Sequence, residues 1–231
     1  MRKKELYTAV GRFERRTNRY GQTHPVILLG GNEYMADLQE MTVWACLNWR
    51  IAHREEIGML YEKTISQSGF TAQRPLETCI DRLLMRGLLV QGTGDTDFDA
   101  LYDLLAPLYV IPMANSLPHR AASFLKAILS GLSPLSAAGK FLHRDRRTES
   151  EDQIMGLAAQ AVLSTAELIK CAEKNIRSLP SEESILDSLY DDDHTTSDNL
   201  PFLAWTFPSC RTVIPAVASL YLRQQIIFEQ I

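Results

Sequence analysis

One helix with two defined ends is predicted by the stretch Thr71-Ala72-Gln73-Arg74-Pro75-Leu76-Glu77-Thr78-Cys79-Ile80-Asp81-Arg82-Leu83-Leu84-Met85-Arg86-Gly87-Leu88-Leu89-Val90. Its apolar residues recur at helical spacing, and they are Leu76, Ile80, Leu83 and Leu84. Pro75 suits a first helical turn, and Gly87 suits the left-handed residue that ends a helix. The β-favouring run 88–90 and the turn at 92–94 then predict a strand followed by a tight turn.

The sequence before this stretch predicts a small antiparallel sheet and two more helices. Strands are expected at residues 7–13, 26–29 and 33–35, with turns at 19–22 and 30–32. Asp37, followed three residues later by Glu40, predicts a capping box at the start of the first helix. The second helix is expected over residues 53–65. The order is therefore sheet, helix, helix, helix, strand.

Helices also dominate the sequence after residue 94. A capped helix is predicted at 95–105 and a strand at 108–111, and the two prolines Pro107 and Pro112 bracket a domain boundary. Further helices are predicted at 118–130, 134–143, 149–176, 182–189 and 212–230. The predicted fold class is mostly α (α+β), with a first domain over residues 1–112 and a helical domain over 113–231.

Composition places the chain among ordinary globular proteins. Of its 231 residues, 45% are hydrophobic and 23% are charged, and no apolar run reaches membrane-spanning length. The basic start at residues 1–6 has no apolar run behind it, so no signal peptide is expected. The four cysteines are far apart, which favours free thiols over a disulfide framework or zinc. We therefore expect a cytoplasmic protein without a membrane segment.

The charges are distributed asymmetrically. Residues 1–25 contain seven lysines and arginines against two glutamates, an excess of five positive charges, although the net charge of the chain is -4. Residues 181–199 contain seven carboxylates and no lysine or arginine. Only the first of these segments has a charge that suits phosphate.

The cadence Ile80-x-x-Leu83-Leu84-x-Arg86-Gly87-Leu88-Leu89-Val90 is similar to the end of the recognition helix and the start of the wing in MarR-like and PadR-like bacterial regulators. This resemblance covers about a quarter of the chain. It implies an N-terminal winged helix in a DNA-binding transcriptional regulator that acts as a dimer and places its third helix in the major groove. The helix predicted at 95–105 departs from the family pattern, because a second wing strand is expected there.

The residues expected to contact double-stranded DNA lie on the third helix and on the first predicted hairpin. They are Gln73, Arg74, Thr78 and Arg82 for base and phosphate contacts, and Arg12, Arg15, Arg16 and Arg19 for phosphate contacts. Glu77 and Asp81 lie on or beside the same helix face and would repel phosphate. A solvated helix face and a solvated hairpin remain the alternatives.

A second resemblance gives another function. Three strands followed by three helices, with Glu33-Tyr34-Met35-Ala36-Asp37-Leu38 leading into an apolar helix at Trp44, resemble the PqqD-like peptide-recognition domains. In those domains a leader peptide adds a strand to the sheet edge and packs against the third helix. This resemblance implies a groove between residues 26–29 and the Arg74 helix, in an adaptor for a biosynthetic or maturation system.

Motifs of catalysis and cofactor binding are missing from the sequence. It contains no G-x-S-x-G, phosphate-loop, dinucleotide or H-E-x-x-H pattern, and its five histidines stand apart. We therefore expect no enzyme activity, no cofactor and no metal site. A homodimer is expected because the predicted helix 149–176 is apolar over a wide arc. A small-molecule or protein effector site is expected in the helical domain.

Overall fold

The computed structural model describes residues 3–68, 71–113, 147–192 and 194–230. The strands of these residues are β1 (Lys4–Ala9), β2 (Arg12–Thr17), β3 (Thr23–Leu29), β4 (Asn32–Tyr34), β5 (Leu89–Gly94), β6 (Tyr109–Pro112), β7 (Leu163–Ser164) and β8 (Ile226–Glu229). The helices are α1 (Leu38–Leu47), α2 (Arg54–Ser68), α3 (Leu76–Met85), α4 (Asp97–Leu105), α5 (Glu149–Ala158), α6 (Thr165–Glu173), α7 (Glu182–Leu189), α8 (Leu200–Ala204) and α9 (Cys210–Leu222). This is a mixed α+β fold with small antiparallel sheets, as the sequence predicts at that level.

The first sheet joins β1 to β5 in antiparallel register, with Tyr7 opposite Gln91. On its other side Tyr7 forms an isolated bridge with Ala52, in the connection between α1 and α2. Helix α4 packs so closely on β5 that a Cβ on Gly92 would overlap the carbonyl oxygen of Ala100. Glycine is therefore required where the helix crosses the strand.

The second sheet is the meander β2–β3–β4. The single strand predicted at 7–13 is wrong, because the chain breaks at Gly11, which has a φ of +81°. The N–H of Gly11 donates to Phe228 O at 2.8 Å, and a Cβ there would overlap Leu28 O. Residues before the break pair with β5, and residues after it pair with β3.

The three consecutive helices form where the sequence predicts them. Asp37 accepts the N–H groups of Gln39 and Glu40, and the Glu40 side chain completes the capping box at the start of α1. Helix α3 begins after Pro75 and is followed at Gly87 by a φ of +67°. Its apolar stripe is buried at Cys79, Ile80 and Leu83.

The second half departs from the prediction at three places, one of which is the short helix α8, where no helix is predicted. The long helix predicted over 149–176 is two helices, because Ser164 and Glu167 form a capping box that starts α6 after the short strand β7. The last predicted helix ends at Leu222, and the chain continues into β8. Strand β6 lies between β7 and β8 in a third sheet. The helices predicted at 118–130 and 134–143 lie outside the described residues.

One apolar core continues across the proposed boundary at residue 112. It includes Trp44 and Leu83 from the first part and Leu168, Val217 and Phe228 from the second. The Tyr221 hydroxyl, on α9, accepts the Trp49 N–H at 2.9 Å and donates to Ala9 O at 3.0 Å. The division into two domains stays a prediction, and these contacts show that the two parts are packed together.

Among the helices of the described residues, none combines the length and apolar composition that crossing a membrane requires.

Candidate functional site

A buried carboxylate holds the arginines of the third helix. The Glu40 side chain, on α1, is 2% exposed and accepts Arg82 Nε at 2.5 Å on Oε1. Arg86 Nη1 lies 3.1 Å from its Oε2, and Arg74 Nη1 lies 3.5 Å from its Oε1. We call Arg74, Arg82 and Arg86 the arginine cluster. Its members lie directly before α3, within its last turns and directly after it, so one α1 residue fixes all of them.

Two further α1 groups tie down the start of α3. The Gln39 amide donates to Arg74 O at 2.6 Å and accepts the Gln73 N–H at 3.1 Å. Asp37 forms an ion pair with Arg74. Burial opposes ionisation of Asp37, but hydrogen bonds from the Glu40 N–H and from Arg74 outweigh it, so the pKa of Asp37 is lowered. The three positive charges of the arginine cluster therefore face two negative charges, those of Asp37 and Glu40.

The predicted DNA-contacting residues of α3 do not form a common basic surface. Arg74 and Arg82 pair with α1 carboxylates, while Gln73 and Thr78 are exposed. Two carboxylates are also exposed on this helix: Glu77, which pairs with Arg54, and Asp81. The exposed face of α3 is thus mixed in charge, which disfavours close approach to phosphates.

Strand β4 is an edge strand beside the end of α3. It pairs with β3 through a two-residue turn at Gly30 and Gly31, both with positive φ. Leu29 and Asn32 close this turn, and because bonded and non-bonded pairs alternate in antiparallel ladders, the N–H and C=O of Glu33 point to the open edge. In the described residues β3 is the one strand that pairs with β4.

Arg86 connects α3 to this edge. Its Nη2 donates to Met35 O at 2.5 Å, and its guanidinium lies 6.0 Å from the centre of the Tyr34 ring. Three large apolar side chains of the adjoining segments are exposed: Met35 directly after β4, Leu38 at the start of α1, and Met85 at the end of α3, the last of them 80% exposed. We call β4, these three residues, Arg82 and Arg86 the β4–α3 face. Exposed apolar groups beside an open strand edge are typical of a binding surface.

The β2–β3 hairpin forms a second candidate surface, the basic arm, defined by Arg12, Arg15, Arg16 and Arg19. Arg12 and Arg16 pair with Glu14, and Arg16 also pairs with Glu33 at 2.8 Å. Arg15 and Arg19 are exposed, and no carboxylate of the described residues lies within 4.0 Å of either guanidinium. At the turn between the strands Tyr20 is 88% exposed. The arm therefore offers free cations beside an aromatic ring.

Lys170 of α6 and Lys174, directly after α6, hold the acidic segment near residue 191. The Lys174 ammonium donates to both carboxylate oxygens of Asp191 at 2.7 Å, and the buried Lys170 donates to Leu189 O at 2.6 Å. A hydrogen bond from Thr195 lowers the pKa of Asp192 to about 2. Across residues 3–68, 71–113, 147–192 and 194–230, no three histidine, cysteine or acidic side chains are grouped as metal ligands.

A cavity of about 220 Å³ lies between α5, α6 and α9 in the second half. Ile154, Leu168 and Val213 line its apolar part, and Ser150 and Thr212 supply hydroxyl groups. This cavity is a place where the predicted effector could bind, and effector binding stays a prediction.

Sequence reasoning missed Glu40 and Arg86 as parts of the site. The sequence indicates Glu40 as part of the helix cap, which it does form, and its second role depends on α3 folding over it. Arg86 lies one turn after Arg82, and that spacing is the signal that could have joined the two. The helical spacing of the third helix places Met85 on its exposed face, whereas Leu38 is part of the apolar pattern of the first helix and its exposure, like that of Met35, has no signal in a single sequence.

Comparison of the chain with models of known protein families, with curated proteins and with solved structures gives no match.

Proposed function

We propose that this chain is a cytoplasmic peptide-binding adaptor, in which an extended peptide adds a strand to β4 and packs against the end of α3. The observation that supports this proposal is the open edge of β4, joined to α3 by the contact of Arg86 with Met35 O. Strand addition uses the free backbone groups for affinity and the neighbouring side chains for specificity. The resemblance to the PqqD-like domains implies the same mode of binding.

The order of elements supports this proposal over base readout by α3. The meander β2–β3–β4 comes directly before α1, α2 and α3, as in the resemblance to peptide-recognition domains. The arginines that base readout would need are paired with Asp37 and Glu40 instead. The four cysteines are free thiols, which is typical of a reducing compartment.

The chemistry of the β4–α3 face suggests the kind of peptide. Met35, Leu38 and Met85 would contact alternate apolar side chains of an added strand, since successive residues of a strand point to opposite faces. Arg82 remains 49% exposed although it pairs with Glu40, and the arginine cluster has an excess of one positive charge. We propose an extended peptide that carries carboxylates between apolar residues.

The test uses proline at the open edge. A peptide is selected by phage display on the immobilised wild-type chain, and its affinity is measured by fluorescence anisotropy. Glu33→Pro removes the outward N–H and places a ring at the edge, so we expect a loss of about tenfold or more. Glu33→Ala is the matched control, because it loses the same ion pair with Arg16 but keeps the N–H.

Retained affinity in Glu33→Ala together with the loss in Glu33→Pro supports strand addition. Equal affinity in both variants, or failure to select any peptide, would rule out the β4 edge as the binding site. Met85→Asp should weaken binding as well, because it replaces an apolar side chain of the β4–α3 face by a carboxylate. Since Met85 is exposed, the substitution leaves the core unchanged.

DNA binding by a transcriptional regulator is the second candidate, and the basic arm favours it. Arg15, Arg19 and Tyr20 could contact a phosphate backbone and the groove beside it. In a winged-helix interpretation, β1 would take the place of the second wing strand, because it lies antiparallel to β5 and bridges Ala52 between α1 and α2. A dimer would then place two α3 helices in successive major grooves.

The DNA-binding function is tested by a salt titration of the protein's binding to the DNA upstream of its own gene. Arg15→Ala and Arg19→Ala each remove one cation from the phosphate backbone, so each should flatten the slope of log affinity against log salt by about one unit. If α3 reads bases, Arg74→Ala and Arg82→Ala should each weaken specific binding by about 1–3 kcal/mol. No duplex binding by wild type at low salt would exclude this candidate.

A further inference from the structure

Two adjoining cavities form an open groove along α2. One has a volume of about 330 Å³ and the other about 400 Å³, and they share the lining residues Arg50, Leu60 and Lys63. Each lies in the range of about 300–1,000 Å³ that small-molecule sites occupy. We call the pair the α2 groove, and none of its lining residues belongs to the β4–α3 face.

The smaller cavity is mainly apolar. Ile51, Ala52 and Leu60 line it together with Met59, on α2, and Leu222, at the end of α9. Met59 is 64% exposed, and Leu222 is also exposed. A methionine at the rim can adapt to the shape of a flexible chain. This half of the groove therefore suits an aliphatic group.

Positive charges stand where the two cavities meet. Arg50 and Lys63 line both of them, and neither has a carboxylate of the described residues within 4.0 Å. The acidic lining residue is Glu56, whose Oε2 accepts the His53 N–H at 2.8 Å. Two cations against one carboxylate leave an excess of positive charge, which favours an anionic head group.

We infer that the α2 groove binds an amphiphilic carboxylate of the medium-chain fatty acid type. Its carboxylate pairs with Arg50 and Lys63, and its alkyl chain lies on Ile51, Met59 and Leu60. Both contacts are needed, because an exposed ion pair contributes little by itself and the open cavity covers only part of a ligand. This inference does not depend on the peptide or the DNA proposal.

Cys46 provides a reporter inside the groove. It lines the larger cavity and lies 3.5 Å from Thr64 Oγ1, and of the four cysteines it is the one that is not buried. An alkylating reagent should therefore react first at Cys46. A ligand in the groove should slow that reaction.

The experiment titrates dodecanoate, below its micelle concentration, into the full chain by isothermal calorimetry. The rate of Cys46 alkylation by N-ethylmaleimide is measured in parallel. We expect saturable binding and a slower alkylation rate. Arg50→Glu and Lys63→Glu should each weaken binding about tenfold, because an attraction is replaced by a repulsion of similar size. Met59→Asp should weaken it at least as much, since it places a carboxylate on the apolar surface.

Two matched variants serve as controls. Lys3→Glu reverses an exposed lysine outside the α2 groove, and Leu186→Asp changes an exposed apolar residue on α7. Both should bind dodecanoate as wild type does. Absence of dodecanoate binding overturns the inference. So does equal binding of dodecyltrimethylammonium, which would indicate nonspecific adsorption, or unchanged affinity in the three groove variants.

Discussion

Replacing Glu40 by glutamine should destabilise the fold by about 2–3 kcal/mol. Glu40→Gln keeps the size of the side chain and one acceptor oxygen, but it removes the charge that Arg74, Arg82 and Arg86 share. Removing one partner of a buried ion pair costs about 3–5 kcal/mol. The loss of stability expected for Glu40→Gln is smaller, because the side chains of the three arginines are between 25% and 49% exposed and are hydrated again when they are released from Glu40.

The assay is urea denaturation followed by far-UV circular dichroism. The midpoint of Glu40→Gln should fall while the slope and the native spectrum stay the same. Glu62→Gln, on the exposed side of α2, is the control and should shift the free energy of unfolding by less than about 0.5 kcal/mol. A loss equally small for Glu40→Gln would refute the argument that one buried carboxylate fixes the end of α3.

Three further outcomes are expected. Tyr221→Phe should lower the free energy of unfolding by about 2–3 kcal/mol in the same assay, because Ala9 O and the Trp49 N–H lose their partner. Tyr20→Phe, at the exposed turn, is the control and should not change the free energy of unfolding measurably. The folded state lowers the pKa of Asp192 to about 2, below the ordinary 3.8. The stabilising contribution of Asp192 is therefore complete above pH 4 and is lost as pH falls toward 2. Asp192→Asn should flatten the dependence of stability on pH in that window, and an unchanged profile would contradict the Thr195 contact. If the chain is a DNA-binding regulator that acts as a dimer, light scattering should return twice 26.1 kDa, and a mass near 26.1 kDa at micromolar concentration would exclude the dimer.

Local signals in the sequence are sufficient to predict the three-helix segment. The apolar spacing of α3, the cap at Asp37 and the end at Gly87 each involve residues a few positions apart, so they can be recognised without knowledge of the fold. The pairing of β1 with β5 cannot be predicted in this way. Its two strands are separated by all three helices, and nothing in either strand identifies the other.

The break between α5 and α6 escapes prediction for a different reason. Leu163, Leu168 and Ile169 are all buried, so the apolar pattern continues through the break and hides the change of direction. The capping box at Ser164 is the available signal. The two helices pack on α9, so the apolar arc is used inside the fold and gives no argument for a dimer. Dimerisation then rests on the DNA candidate alone.

The sequence predicts residues of the candidate site but not their connections. The helical spacing of the apolar residues places Arg74 and Arg82 on the solvent-facing side of α3, and Arg82 is indeed exposed. Sequence spacing cannot show that Glu40, far earlier in the chain, lies buried beneath them. A buried charge is stabilised only by partners that the tertiary fold supplies.

The central position of β6 has a consequence for synthesis of the chain. Its partner β8 is made long after β6 itself, so a growing chain that has already formed α1, α2 and α3 still has this edge of β6 uncovered. Val110 and Ile111 make that edge apolar, and uncovered apolar strand edges are sites of aggregation. A ribosome-stalled chain that ends before Ile226 should therefore bind chaperones that recognise apolar strands, and release should follow once β8 has left the exit tunnel.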